Sequence, residues 1–74
     1  MKFPQYRKIE GFQRFYRITD DMHFTEVYSL NGKLVTHNVT AEQYPEMLRI
    51  KDMLACEFSF REMSAEEADE VFGT

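Results

Sequence analysis

Residues 22–39, MHFTEVYSLNGKLVTHNV, decide the fold of this chain. Apolar and polar residues alternate on both sides of Asn31-Gly32, as they do in half-buried β-strands. An Asn-Gly pair favours a type I′ turn, which needs positive φ at both central positions and joins two strands directly. The stretch therefore predicts a β-hairpin with strands over about residues 22–30 and 33–39.

A two-residue turn also fixes which residues of the hairpin face each other. The predicted pairs are Leu30–Lys33, Tyr28–Val35, Glu26–His37 and Phe24–Val39. This register gathers the apolar side chains on one face, whereas a slip of one residue would scatter them over both faces. Glu26 and His37 then point the same way, with Cβ atoms about 5 Å apart.

A preceding strand is predicted over about residues 12–19, FQRFYRIT, which alternate and are rich in aromatic residues. Pairing Ile18 with Met22 continues the apolar face and sets Arg14 beside Glu26. Arg14, Glu26 and His37 then form a polar cluster in a row across that face. We expect the cluster to be a charged ladder, with a small-ligand site as an alternative.

Two helices are predicted in the second half of the chain. Pro45 suits a first helical turn and favours a helix over about residues 45–55. Its expected buried stripe consists of Met47, Ile50, Met53 and Leu54. Ser64 and Glu67 have the spacing of a capping box, which predicts a C-terminal helix over about residues 65–72 with Gly73 as its end.

The remaining segments complete an α+β fold. Residues 56–62, CEFSFRE, alternate and predict a short further strand, while residues 1–11 form an irregular lead-in or a short strand. We expect an antiparallel three-stranded meander with the helices on one face, in a single small domain that spans residues 1–74.

The composition is that of a globular protein, with 43% hydrophobic and 30% charged residues. Cys56 is the only cysteine, and residues 1–10 lack the apolar run of a signal peptide, so we expect a cytoplasmic protein. No apolar stretch approaches the length of a membrane span, and we expect no membrane association. A chain of 74 residues has little core to stabilise it, which favours association with a second chain.

The back of the predicted sheet is the contact surface that the pattern favours. Most residues of this face are polar, but a diagonal of apolar residues crosses it. In a single domain this apolar diagonal would be exposed to water unless Val71 and Phe72 of the last helix covered it. The interface candidates are Phe15, Arg17, Val27, Leu34 and Thr36. We expect a non-catalytic domain that acts through protein contacts, either as a homodimer or as an accessory subunit of another protein.

Other functions find less support in the sequence. Residues 1–18 hold five basic residues and one acidic residue, so single-stranded nucleic-acid binding is an alternative. Its residues would be Lys2, Tyr6, Arg7, Lys8 and Arg17. We expect no enzyme, cofactor or metal site, because no nucleophile with a paired base, phosphate loop or set of metal ligands can be found.

Overall fold

The computed structural model describes residues 2–73 and has the predicted α+β architecture. Its elements are β1 (Gln5–Ile9), β2 (Arg14–Ile18), β3 (His23–Leu30), β4 (Lys33–Thr40), α1 (Tyr44–Leu54), β5 (Phe60–Glu62) and α2 (Ala65–Phe72). One antiparallel sheet contains five strands in the order β4-β3-β2-β1-β5. Residues 5–9 form the short strand β1, which is one of the two alternatives predicted for residues 1–11, so the meander has four consecutive strands rather than three.

The β3–β4 hairpin has the predicted register throughout, including the pairs Glu26–His37 and Tyr28–Val35. Asn31 and Gly32 both have positive φ, at 52° and 79°, as a type I′ turn requires. The agreement confirms that the turn and the alternation together determine the pairing.

The register of β2 differs from the predicted one by two residues. Ile18 pairs with Phe24 instead of Met22, and Tyr16 rather than Arg14 faces Glu26. The turn is longer because the Asp20 carboxylate accepts hydrogen bonds from the Met22 amide at 2.8 Å and from the His23 ring at 2.8 Å. A shift of two residues leaves every side chain on its predicted face.

The two helices pack on opposite faces of the sheet, contrary to the expectation of a shared face. On one face, Ile50 and Met53 of α1 pack against Tyr16, Ile18 and Phe24 in the main core. On the other face, the Phe72 ring of α2 lies 5.5 Å from the Tyr6 ring. The sheet is therefore the middle layer of the molecule.

The first helix has a proline near its start and is held at its C-terminus by a buried arginine. Pro45 lies in its first turn, as predicted. At its C-terminus the buried Arg7 donates from Nε to the Met53 carbonyl at 2.9 Å and from Nη2 to the Leu54 carbonyl at 3.3 Å. These charge-assisted hydrogen bonds satisfy carbonyls that lack a partner within the helix.

The predicted strand over residues 56–62 is wrong in its first half. Cys56 has a φ of 54° and continues the end of α1, with its amide bonded to the Met53 carbonyl and the Glu57 amide bonded to the Asp52 carbonyl. This is the Schellman pattern of a helix terminus. Phe58 also has positive φ, so only residues 60–62 pair, and they do so with β1.

The second helix has the predicted bounds and the predicted caps. Its bounds are Ala65–Phe72, and Ser64 and Glu67 form a complete capping box. Gly73 follows with a φ of 68°, the left-handed conformation that glycine adopts without strain.

Candidate functional site

The largest group of exposed apolar side chains lies along the outer side of α1. Tyr44, Met47 and Leu48 point away from the core, and Met22 from the β2–β3 turn lies beside them. We call these four residues the α1 patch. Between 42% and 74% of each side chain is exposed, although burial is the usual state of such groups.

The α1 patch borders a groove of about 400 Å³ between the helix and the β2–β3 turn. The inner wall includes Ile50 and Leu54, and the charged residues at the groove are Asp21 and Lys51. One carboxylate and one ammonium group leave the groove without net charge. The groove therefore suits an apolar ligand. Because its walls are exposed, the ligand can be long and can extend beyond the groove.

Met47 belongs to the predicted buried stripe of α1, and the prediction is wrong for this residue, which is 42% exposed. Ile50 and Met53 are buried and Leu54 is partly buried as predicted, but the helix turns Arg49 toward the sheet and Met47 toward solvent. Tyr44, Met47 and Leu48 also have helical spacing, so the sequence fits a second apolar stripe on α1 as well.

A polar network lies on the α1 side of the sheet, around the predicted polar cluster. The Glu26 side chain is 9% exposed, and its Oε2 accepts from Tyr16 Oη at 2.8 Å. The same oxygen accepts from Arg14 Nη1 and Arg49 Nη2, each at 3.2 Å. Arg49 Nη2 also donates to Tyr16 Oη at 2.9 Å, which links α1 to β2 and β3.

The structure brings Arg14 and Glu26 into contact and places His37 opposite Glu26, as predicted, but within the described chain His37 and Glu26 are not bonded. His37 faces Glu26 across the strands, yet within residues 2–73 no hydrogen bond or ion pair joins them. Tyr16 and Arg49 were not part of the predicted cluster. The position of Arg49 beside Glu26 depends on how α1 crosses the sheet, which no local pattern in the sequence predicts.

Burial of the Tyr16 hydroxyl raises the pKa of that group above its ordinary value of 10.0, and the hydrogen bond to Glu26 raises it further. The neighbouring Arg49 opposes this increase. The neutral Tyr16 hydroxyl donates a hydrogen bond to the carboxylate, and that carboxylate is also held by two guanidinium groups. This arrangement binds secondary-structure elements together and leaves Oε2 committed to protein donors.

The predicted interface on the back of the sheet divides into two halves. Over β2 and β3, the Phe72 ring lies 5.3 Å from the Arg17 guanidinium, Val27 is buried, and Phe15 is half-buried. Over β4, Leu34 and Thr36 are exposed. The half nearest α2 is thus closed by the chain itself, while the half at the β4 edge stays open.

The five residues suggested for nucleic acid do not form one basic surface. Arg7 is buried beneath the end of α1, Tyr6 contacts Phe72, and Arg17 lies over the same ring. The ammonium group of Lys8 bonds both oxygens of Glu67 at 2.9 Å. Lys2 alone is exposed without such a contact among the described residues.

Residues 2–73 contain no group of three or more His, Cys, Asp or Glu side chains arranged to hold a metal ion. Neither described helix combines the length and the apolar character needed to cross a membrane. Comparison of the chain with models of protein families, with curated proteins and with solved structures gave no match.

Proposed function

We propose that this protein is a non-catalytic cytoplasmic accessory domain that binds another protein through the α1 patch. The observation that supports this proposal is the concentration of Met22, Tyr44, Met47 and Leu48 on one side of the molecule, all substantially exposed. Leaving large apolar groups in water costs free energy that contact with a partner would recover, at roughly 25 cal/mol per Å².

The groove suggests what the partner presents. Its apolar walls and balanced charges suit an uncharged apolar segment, and its open course along α1 suits the apolar stripe of a partner helix. Met22 and Met47 contribute flexible, polarisable side chains that adapt to different apolar shapes. The helix-in-groove mode of recognition therefore fits this surface better than a small enclosed ligand does.

The polar network around Glu26 supports a structural role more than a catalytic one. Three donors of the chain itself, from Tyr16, Arg14 and Arg49, converge on Glu26 Oε2, so these contacts hold β2, β3 and α1 together. Nucleic-acid binding remains the alternative, but the contacts of Arg7, Lys8 and Arg17 within the chain do not favour it. We therefore retain protein contact as the proposed function.

Competition photo-crosslinking tests the proposal directly. Tyr44 is replaced by a benzophenone amino acid, which its exposed position accommodates, and the chain is irradiated in an extract of its source organism. We expect an adduct of defined mass whose yield falls when excess unlabelled wild-type protein is added. An unlabelled Met47→Glu/Leu48→Glu variant should leave the yield unchanged, because two buried carboxylates would oppose docking.

The matched competitor is Phe12→Glu, which changes a similarly exposed apolar residue outside the α1 patch. It should suppress the adduct as well as wild-type protein does. Urea unfolding should show that every competitor is folded and within about 1–2 kcal/mol of wild type, since Met47 and Leu48 are each 42% exposed and Phe12 is 70% exposed. Equal suppression by the Met47→Glu/Leu48→Glu variant would refute binding through the α1 patch.

A further inference from the structure

The outer edge of β4 presents unpaired backbone groups over most of its length. The strand order leaves β4 at the edge, paired with β3 from Lys33 to Thr40. The Ala41 amide donates to the Met22 carbonyl, which shows that odd-numbered positions of this segment bond to β3. Even-numbered positions therefore direct their amides and carbonyls away from the sheet.

Three residues carry these outward groups without a partner. The amides and carbonyls of Leu34, Thr36 and Asn38 make no further hydrogen bond within residues 2–73. The Thr40 carbonyl differs, because it accepts from the Glu42 amide at 3.0 Å. A second strand could therefore form three pairs of bonds with the free groups.

Proteins usually protect such an edge, and β4 lacks the usual devices. Edge strands are commonly short, or they carry proline, a bulge or several charges. The opposite edge, β5, follows this rule with three residues. In contrast, β4 has eight continuously paired residues without proline or acid, and its one lysine stands beside the turn.

We infer that β4 is a dimerisation edge whose occupant is the β4 strand of a second copy of this chain. An antiparallel strand edge is complementary to itself about a two-fold axis, which is the usual symmetry of a homodimer. Two sheets would join into one continuous sheet of ten strands, given the five in each copy. The inference uses no residue of the α1 patch and is independent of the proposed function.

The free groups select one register. With Thr36 facing Thr36 of the second copy, Leu34 faces Asn38, and each of the three pairs exchanges two hydrogen bonds. A shift by two residues would place Leu34 opposite Thr40, whose carbonyl is already engaged. The opposite shift would place Asn38 opposite Gly32 in the turn, so the register centred on Thr36 is the one that pairs all three residues with free groups.

Charge and shape agree with this pairing. Lys33 lies at one end of β4 and would face Val39 of the second copy, so the two lysines stand at opposite ends of the joint. Leu34 is 62% exposed in the single chain, and it would lie diagonally across from the Thr36 methyl group of the second copy. The contact would thus cover part of the predicted interface that α2 leaves open.

Sedimentation velocity over a range of concentrations provides the test. We expect wild-type protein to dimerise reversibly, and Thr36→Pro to weaken the dimer at least about thirtyfold, because both central amides are lost. The Thr36 amide points outward, so proline leaves the β3–β4 ladder intact. The matched control Thr36→Val keeps the amide and should dimerise as wild type does.

Disulfide trapping tests the register even where the proline variant fails to fold. Cys56 is first replaced by serine, so that only the introduced thiol can react. Thr36→Cys should form a covalent dimer on mild oxidation, because facing Cα atoms in a bonded pair lie about 5.5 Å apart. Thr40→Cys should not, since its two copies would lie eight positions apart along the strands.

Either of two results would overturn the inference. One is wild-type protein that stays monomeric at every concentration. This holds even if its β4 edge binds an extended peptide, because the inferred occupant is a second copy of the chain. The other is a dimer that Thr36→Pro leaves at full strength. Trapping at Thr40 without trapping at Thr36 would overturn the register.

Discussion

The replacement Tyr16→Phe tests how much the Glu26 network contributes to stability. Phenylalanine keeps the buried ring, which lies 6.1 Å from the Phe24 ring and 5.7 Å from the Phe60 ring. It removes only the hydroxyl that donates to Glu26 at 2.8 Å and accepts from Arg49 at 2.9 Å. The effect therefore isolates the polar contact from the packing.

The structure gives the expected size of this loss. A hydrogen bond to a charged group contributes about 1.5–3 kcal/mol, and Glu26 is almost fully buried, so water cannot replace the lost donor. Arg14 and Arg49 still hold the carboxylate at 3.2 Å, which keeps the loss below the cost of breaking a buried ion pair. We expect the free energy of unfolding to fall by about 1.5–3 kcal/mol.

Urea unfolding followed by circular dichroism measures this change. The matched control is Tyr44→Phe, which removes the same hydroxyl from a side chain that is 74% exposed. Its free energy of unfolding should stay within about 0.5 kcal/mol of wild type. If the two variants lose the same stability, the buried hydroxyl contributes nothing and the reasoning fails.

The pH dependence of the same variant gives a second measurement. Because burial raises the folded-state pKa of Tyr16 above 10.0, the folded chain retains this proton where the unfolded chain has lost it. The associated stability is complete below pH 10.0 and is lost as pH rises through the folded pKa. Wild-type protein should therefore lose stability more steeply above pH 10.0 than Tyr16→Phe does.

Two further predictions concern the contacts that hold the helices. Arg7→Met should lower the free energy of unfolding by about 2–4 kcal/mol, since the carbonyls at the end of α1 lose charged donors. It should also speed amide exchange in the last turn of α1. The control Arg61→Met changes an exposed arginine and should lower the free energy of unfolding by less than about 0.5 kcal/mol. The Lys8 ammonium lowers the pKa of Glu67 below its ordinary value of 4.5. The contact between Lys8 and Glu67 therefore stabilises the fold fully above pH 4.5, and this stabilisation is lost as pH falls through the lowered pKa. Urea midpoints on either side of pH 4.5 should show a smaller acid loss for Glu67→Gln than for wild type, and identical acid limbs would contradict the contact.

The hairpin and the register of β2 show what a periodic pattern can determine. The type I′ turn fixed every pair between β3 and β4, because its two residues leave no freedom in the pairing. At the next turn, the Asp20 side chain stabilises a longer loop, which shifts β2 by two residues. Alternation has a period of two, so it assigns faces correctly and cannot detect a shift of two.

The first helix shows where sequence reasoning reaches its limit. Apolar residues surround most of α1, and a helical pattern alone does not say which apolar stripe meets the sheet. The orientation depends on Arg7, which holds the end of the helix, and on Arg49, which reaches the buried Glu26. Both contacts join residues far apart in the chain, and neither forms part of a local motif.

Glu26 binds two arginines rather than the histidine that faces it, and this leaves β4 outside the polar network. A guanidinium group is always charged and is more weakly hydrated than an ammonium group, so Arg14 and Arg49 can approach a nearly buried carboxylate at low cost. His37 lies on the exposed edge strand, where it stays in contact with water. The network therefore fixes α1 against β2 and β3 without using β4. Because β4 is held through β3 alone, its outer edge is left available, and this is the edge to which we assign the second copy.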